Sequence, residues 1–278
     1  DNPDELHTVN SFALRSGIRQ RVLLRLTPGI DPHTFEAVNT GKVDSKFGMP
    51  IETGQALPFV AEALSLPGIT VEGFHCHIGS QIFTASPFID AAAIMLDFIS
   101  EVKSKLVYDA KILNLGGGFG VRYVESDPDI NIPDCIGELA AFIKSKCAEL
   151  GMSLPSIMLE PGRSIVANAG LTLYTIGNVK TINGYKSYAS VDGGMTDNPR
   201  FALYGSEYTS YIASRAGDPA NFKCTLAGRN CESGDIIQEN IYLNDPTRGD
   251  IVAVLVTGAY NYSMASNYNR VGRPPVVM

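Results

Sequence analysis

The sequence predicts a parallel α/β unit followed by an all-β unit, and three observations carry that expectation. Between Asp4 and Arg163, short apolar runs alternate four times with amphipathic helical stretches. The runs begin about 40–50 residues apart, the spacing of strand–helix–strand crossovers. Residues with reactive or ligand-binding side chains gather where each run stops: Thr27-Pro28-Gly29, His75-Cys76-His77, Gly116-Gly117-Gly118 and Glu160-Pro161-Gly162-Arg163. From Leu171 onward the pattern turns to alternating β-type runs with no long helical period. The expected division is therefore 1–163 for the α/β unit and 164–278 for the β unit. Functional residues at every strand end suit a (β/α) barrel, whose site is built from the loops on that face. A doubly wound sheet would use fewer strand ends, near a switch point. A closed barrel takes eight such units, so with four present either the first half precedes Asp1 or the fold is not a barrel.

In order, Asp4 to Ser16 is expected to be helical, with Leu6, Val9, Asn10 and Ala13 on one side and Gly17 ending it. Arg21 to Leu26 is a strand, and Asp31 to Pro50 an irregular loop rich in Gly, Asp and Thr. Gln55 to Leu64 is a helix stopped by Pro67-Gly68, and Ile69 to His75 the next strand. Phe88 to Leu106 is a long helix with Ile89, Ala92, Met95, Leu96 and Ile99 inward. Lys111 to Leu115 is a strand, and Asp134 to Leu150 a helix with Ile136, Leu139, Ile143 and Cys147 on its apolar face. Ser156 to Leu159 is the fourth strand. In the second part, Leu171 to Lys180, Tyr188 to Asp192, Phe222 to Ala227 and Ile251 to Thr257 read as strands, separated by turns such as Asn183-Gly184 and Arg248-Gly249-Asp250.

Composition narrows the class. The chain has 278 residues, 45% hydrophobic and 18% charged, with a formal net charge of −7, which argues against a nucleic-acid partner. No apolar run reaches the ~20 residues needed to span a membrane. Five cysteines without a C-x-x-C pair make neither a disulfide framework nor a zinc site, and a reducing, cytoplasmic setting is expected. The chain opens without methionine and closes on Pro274 to Met278, which reads like the start of a strand. A fragment of a gene product longer at both ends is expected.

Five stretches could carry chemistry. Leu113-Asn114-Leu115 runs into Gly116-Gly117-Gly118-Phe119-Gly120, and glycines after a strand let backbone N–H groups approach a phosphate. A tight turn with no ligand is the plain alternative. The strand period puts His75 and His77 on one face, open to a weak metal site, to structural histidines, or to an imidazole stacked on a cofactor ring with Ser80 reaching a phosphate. Glu160 and Arg163, pinned by Pro161-Gly162, are either a structural ion pair or a carboxylate that keeps a ring nitrogen protonated beside a guanidinium that binds an anion. Cys231 stands in Cys231-Glu232-Ser233-Gly234-Asp235, where neighbouring acids favour the thiol over the thiolate and so a proton donor over a nucleophile. Gly258 to Asn269 adds tyrosines and asparagines directly after an apolar strand, as exposed binding loops do.

Seven motifs stand in one order: Lys46-Phe47-Gly48, His75 to Gln81, Leu115 to Gly120, Glu160 to Arg163, Asp192-Gly193-Gly194-Met195 through Asn198-Pro199-Arg200 to Leu203-Tyr204, Cys231 to Asp235, and Gly258 to Asn269. Together they resemble the group IV pyridoxal-phosphate decarboxylases, most closely the branch that converts meso-2,6-diaminopimelate to L-lysine and CO₂. The resemblance runs from Asp1 to Met278. It implies the C-terminal half of an alanine-racemase-like (β/α)8 barrel followed by an all-β domain, and a head-to-tail homodimer with two shared sites. It implies pyridoxal 5'-phosphate as cofactor. His77 would stack on the pyridine ring, Ser80 with the backbone of Gly117 and Gly118 would hold the phosphate, and Glu160 would pair with the ring nitrogen. Gly162, Arg163 and Tyr260 would border the cofactor. Arg163, Arg200, Tyr204 and Tyr260 would bind the amino acid substrate. Cys231 and Glu232 would enter the partner's site, Cys231 as proton donor and Glu232 toward the far end of the substrate. The family's cofactor-bearing lysine lies on an early barrel strand that would precede Asp1. None of the lysines present, Lys42, Lys46, Lys103, Lys105, Lys111, Lys144, Lys146, Lys180, Lys186 and Lys223, is expected at a strand end facing the site. The chain alone is therefore expected to be inactive. Competing expectations are a decarboxylase for arginine, ornithine or carboxynorspermidine, a non-catalytic relative, and a dinucleotide enzyme built on the glycine loop, the last disfavoured because Glu160 lies farther on than the ~20 residues of that fingerprint.

Overall fold

The structure, a computed structural model, describes residues 1–30, 41 and 43–278. Most of the loop expected over Asp31 to Pro50, Lys42 included, thus lies outside the described residues. The chain packs into two compact units, Asp1–Gly120 with Asp129–Pro161, and Val121–Pro128 with Gly162–Met278. The passage between them comes at Pro161–Gly162, two residues before the boundary expected. The segment Val121–Pro128, expected in the α/β unit, packs in the second because Val121 and Tyr123 are buried there, the Tyr123 ring set edge-on to Tyr208 at 5.4 Å.

The first unit is a parallel sheet with helices between its strands. Helix α1 (Pro3–Arg15) starts at Asn2, whose side chain accepts the Glu5 N–H, with Pro3 at the first turn and Asp4 and Glu5 favoured by the helix dipole. Strands β1 (Gln20–Thr27), β2 (Met49–Pro50), β3 (Ile69–His75), β4 (Ile112–Asn114) and β5 (Ser156–Met158) lie in the order β2-β1-β3-β4-β5, all pairs parallel. Gly73 lets β4 come close: a Cβ there would sit 1.9 Å from the Ile112 carbonyl oxygen. Helices α2 (Ala56–Ser65), α3 (Ser86–Leu106) and α4 (Ile132–Glu149) bury Phe59, Val60, Met95, Leu96, Leu139 and Ile143 with Leu26, Phe74 and Leu113 of the strands. Ile136, expected on the buried face of α4, is 38% exposed. The buried stripe is Cys135, Leu139, Ile143 and Cys147, an i, i+4 row from which Ile136 is rotated by ~100°.

The second unit is a mixed sheet of β6 (Thr172–Ile182), β7 (Lys186–Val191), β8 (Ser210–Ile212), β9 (Phe222–Ala227), β10 (Ile236–Leu243) and β11 (Ile251–Val254), ordered β10-β9-β7-β6-β11-β8. Only β7 and β9 pair in parallel. The edges nearly close on each other: the Ser210 hydroxyl on β8 reaches Gln238 Oε1 on β10 at 3.3 Å, and the Gln238 amide donates to the Tyr208 carbonyl. Neither β8 nor β10 is among the runs named from the sequence, and β2 of the first unit falls in the stretch expected as a loop. Register shifts beside Gln238, with Asn240 at φ +56°, break the alternation of β10 into the burial pattern of an irregular run. Two short helices, α5 (Arg163–Val166) and α6 (Arg200–Tyr204), carry the two arginines of interest.

Candidate functional site

In the first unit the strand ends gather one cluster. His75 closes β3, and the chain keeps its alternation beyond it: Cys76 is fully buried while His75 and His77 are half-buried. Burial lifts the Cys76 thiol to about 12, so it stays protonated and inert. Burial also lowers both imidazoles; for His77 the Arg25 guanidinium adds to it, while Glu160 pulls His75 partly back. The Gly117 N–H points at His77 Nδ1, 3.3 Å away, so Nδ1 accepts and the neutral ring carries its proton on Nε2.

Glu160 is held from two sides. The Asn114 amide donates to Glu160 Oε1 at 2.8 Å, and His75 Nε2 lies 3.6 Å from Oε2. The Asn114 Oδ1 accepts the Gly116 N–H at 2.9 Å, so one side chain fixes both the carboxylate and the start of the glycine loop. The carboxylate remains 55% exposed.

The glycines are required by space. A Cβ on Gly117 would stand 2.2 Å from the Glu160 carbonyl oxygen, and one on Gly118, at φ +117°, 2.4 Å from the Gly79 oxygen. Among the described residues the Gly118 N–H has no acceptor, whereas that of Gly117 is taken by His77. Gly117 thus contributes clearance and Gly118 a donor. Ser80 lies half-buried in the turn after β3. Gly117→Ala is expected to cost about 1–3 kcal/mol, because both clashing atoms are backbone. The midpoint of denaturant unfolding measures it.

The second unit gathers another cluster around Tyr123. Arg163 is 6% exposed, donates to the Tyr123 hydroxyl at 2.6 Å, and lies 4.7 Å over the Tyr260 ring. Arg200, also 6% exposed, lies 5.5 Å from the Tyr123 ring and 5.7 Å from that of Tyr204, and donates to Ser206 Oγ at 3.2 Å. Its Nε has no partner, and among the described residues no carboxylate lies within ion-pair distance. Tyr260 is 43% exposed and holds φ +66°, a conformation rare for an aromatic residue. Gly162 leaves its hydroxyl room, with 3.4 Å to the position of a Cβ. Cys231 is exposed, unlike the other four cysteines, and all five are free. Glu232 beside it is exposed, its carboxylate accepting the Gly234 N–H at 3.3 Å.

Among the described residues, no group of three His, Cys, Asp or Glu is placed to hold a metal ion, and no helix is long and apolar enough to cross a membrane. Three residues with a part in these clusters escaped the sequence reading. Asn114 did leave a signal, a polar residue inside an apolar strand run. Arg25 and Tyr123 left none, since an arginine within a strand and a tyrosine in a loop are ordinary.

Residues 1–167 match the family model described as "Pyridoxal-dependent decarboxylase, pyridoxal binding domain". The chain is 43% identical over 277 residues to a diaminopimelate decarboxylase of Bacillus methanolicus, which aligns with all of this chain and 64% of that protein. Among solved structures it is similar to the diaminopimelate decarboxylase of M. jannaschii, with a TM-score of 0.87, 32% identity, and cover of 98% of this chain and 61% of that one. It is similar also to that of Helicobacter pylori complexed with L-lysine, with a TM-score of 0.83, 30% identity, and cover of 95% and 63%. The chain thus spans a little under two thirds of these relatives. The fold is theirs, the alanine-racemase-like one. The first cluster suits a pyridoxal group: two glycines leave the clearance and one donor that a phosphate needs, an uncharged imidazole offers a flat face, and an oriented carboxylate stands ready for a ring nitrogen. By the match over its first 167 residues, the chain belongs to the pyridoxal-dependent decarboxylase family.

Proposed function

We propose that this chain serves the decarboxylation of meso-2,6-diaminopimelate to L-lysine and CO₂, in a cytoplasmic homodimer. The observation that carries the reading is Arg200: a guanidinium buried to 6% exposure, with an orphaned Nε and no carboxylate in reach. Leaving such a charge unpaired costs several kcal/mol, so the arrangement suits an anion that arrives from outside. A substrate with two carboxylates supplies it, and a planar fork is the group that binds a carboxylate bidentately. Support for the particular substrate comes from relatives that bear that activity in their names.

Pyridoxal phosphate, when bound, supplies a ring that draws off the electron pair left as CO₂ departs. The residues of this chain do the rest. Glu160 holds a proton at the ring nitrogen, its own geometry fixed by Asn114 and His75. His77 presents an uncharged face to the ring, and Ser80 and Gly118 hold the phosphate. Arg163, Arg200, Tyr204 and Tyr260 orient the amino acid. Cys231, from the partner, gives its Sγ proton to the carbon that has lost CO₂ and recovers one from solvent. Glu232 meets the ammonium at the substrate's far end.

The test is Arg200→Ala in the intact protein. Loss of a charge-assisted pair of about 1.5–3 kcal/mol predicts a KM for meso-diaminopimelate raised roughly 10–150-fold, with the retained cofactor unchanged. An unaltered KM would remove Arg200 from the substrate site and the diacid reading with it.

A further inference from the structure

We propose that Asp235 is a positioning residue that latches together two loops of the second unit, the loop 193–200 leading to Arg200 and the loop 228–235 bearing Cys231 and Glu232. Asp235 is 2% exposed. Its Oδ1 accepts the Met195 N–H at 2.6 Å, and its Oδ2 accepts the Asn230 N–H at 2.6 Å. Each carboxylate oxygen thus serves a different loop. Two glycines, one from each loop, make room for it. A Cβ on Gly194 would lie 2.4 Å from Oδ1, and one on Gly228 2.3 Å from Oδ2. Beside this latch the Arg229 N–H donates to the Gly193 carbonyl at 3.0 Å, and its guanidinium to the Asp192 carbonyl at 3.2 Å.

The connection continues toward Arg200. The Gly194 N–H donates to Asp197 Oδ1 at 2.9 Å, the Asn198 N–H to the Gly194 carbonyl at 2.9 Å, and the Tyr174 hydroxyl to Asp197 Oδ2. A β9–β10 hairpin needs only the bond to Asn230. The second oxygen's bond to Met195 serves no turn, and its effect is to make the two loops one body. No lysine or arginine lies within ion-pair distance of Asp235 among the described residues, so backbone N–H groups alone satisfy the buried charge. That what the loops carry is catalytic rests on the proposed function; the latch itself does not.

Hydrogen exchange by mass spectrometry on the intact protein tests it, with Asp235→Asn and Gly228→Ala. Asparagine keeps the volume and gives up one acceptor. Gly228 lacks a positive φ, and the three atoms nearest a Cβ there all belong to the Asp235 carboxylate, so alanine acts first by pressing on it. In both variants, exchange is expected to quicken by about tenfold or more in peptides covering 193–198 and 228–232 together, while β7 and β9 keep their protection. The response of 193–198 to Gly228→Ala is the sharpest outcome, since the new methyl presses first on Asp235. Quickening confined to 228–232 would overturn the latch, and so would uniform quickening of every strand in the unit. If both loops respond while kcat and KM for meso-diaminopimelate stay unchanged, the latch stands and the proposed roles of Arg200 and Cys231 fall.

Discussion

Cys231→Ala is expected to lower kcat by about 10²–10⁴, the usual contribution of a positioned general acid, while the cofactor remains bound. The other four cysteines are buried, and Cys76 is held protonated near 12 by its surroundings, so none of them can replace Cys231. In the role proposed for Cys231 the proton goes to the carbon that has lost CO₂, so the effect belongs in kcat and not in KM. Single-turnover kinetics in D₂O, followed by mass analysis of the lysine formed, checks it. A variant that still delivers one solvent-derived proton at the wild-type rate would show that water or another group does the work.

The second large effect is expected at Glu160. Glu160→Gln keeps an acceptor for the Asn114 amide, so the orientation shown by the 2.8 Å bond survives. What is lost is the negative charge that favours a protonated ring nitrogen. A drop in kcat of about 10²–10³, the scale of losing one pre-organised electrostatic group, is expected. The pH dependence of the cofactor's absorbance should shift with it, because the ring nitrogen then loses its proton at lower pH. Normal turnover with an unshifted spectrum would reduce Glu160 to a surface carboxylate.

Most of the α/β unit was legible in the sequence because its signals are local. Apolar runs ended by glycine or proline gave β1, β3, β4 and β5 almost residue by residue, and Gly116 to Gly118 marked a place where a Cβ does not fit. What escaped depends on packing across the chain. Ile136 satisfies a helical period yet faces outward, because the contact stripe of α4 is the narrower i, i+4 row. β10 was hidden by its bulges, and Val121–Pro128 joined the second unit through Val121 and Tyr123, whose burial there no local pattern marks. In the clusters, the residues proposed to touch a ligand stand out by type. Those that aim them do not: in the sequence Asn114 is one residue of a strand run and Asp235 one residue of a motif, and only the hydrogen bonds reveal what each holds.

The most direct measurement is turnover by the purified intact protein supplied with pyridoxal phosphate and equal concentrations of meso-diaminopimelate, ornithine and arginine, following CO₂ release and product identity. L-lysine as the dominant product, formed with one CO₂ per substrate, is the expected result. Release of CO₂ from ornithine or arginine in preference, or no turnover of any of the three with the cofactor bound, would contradict it.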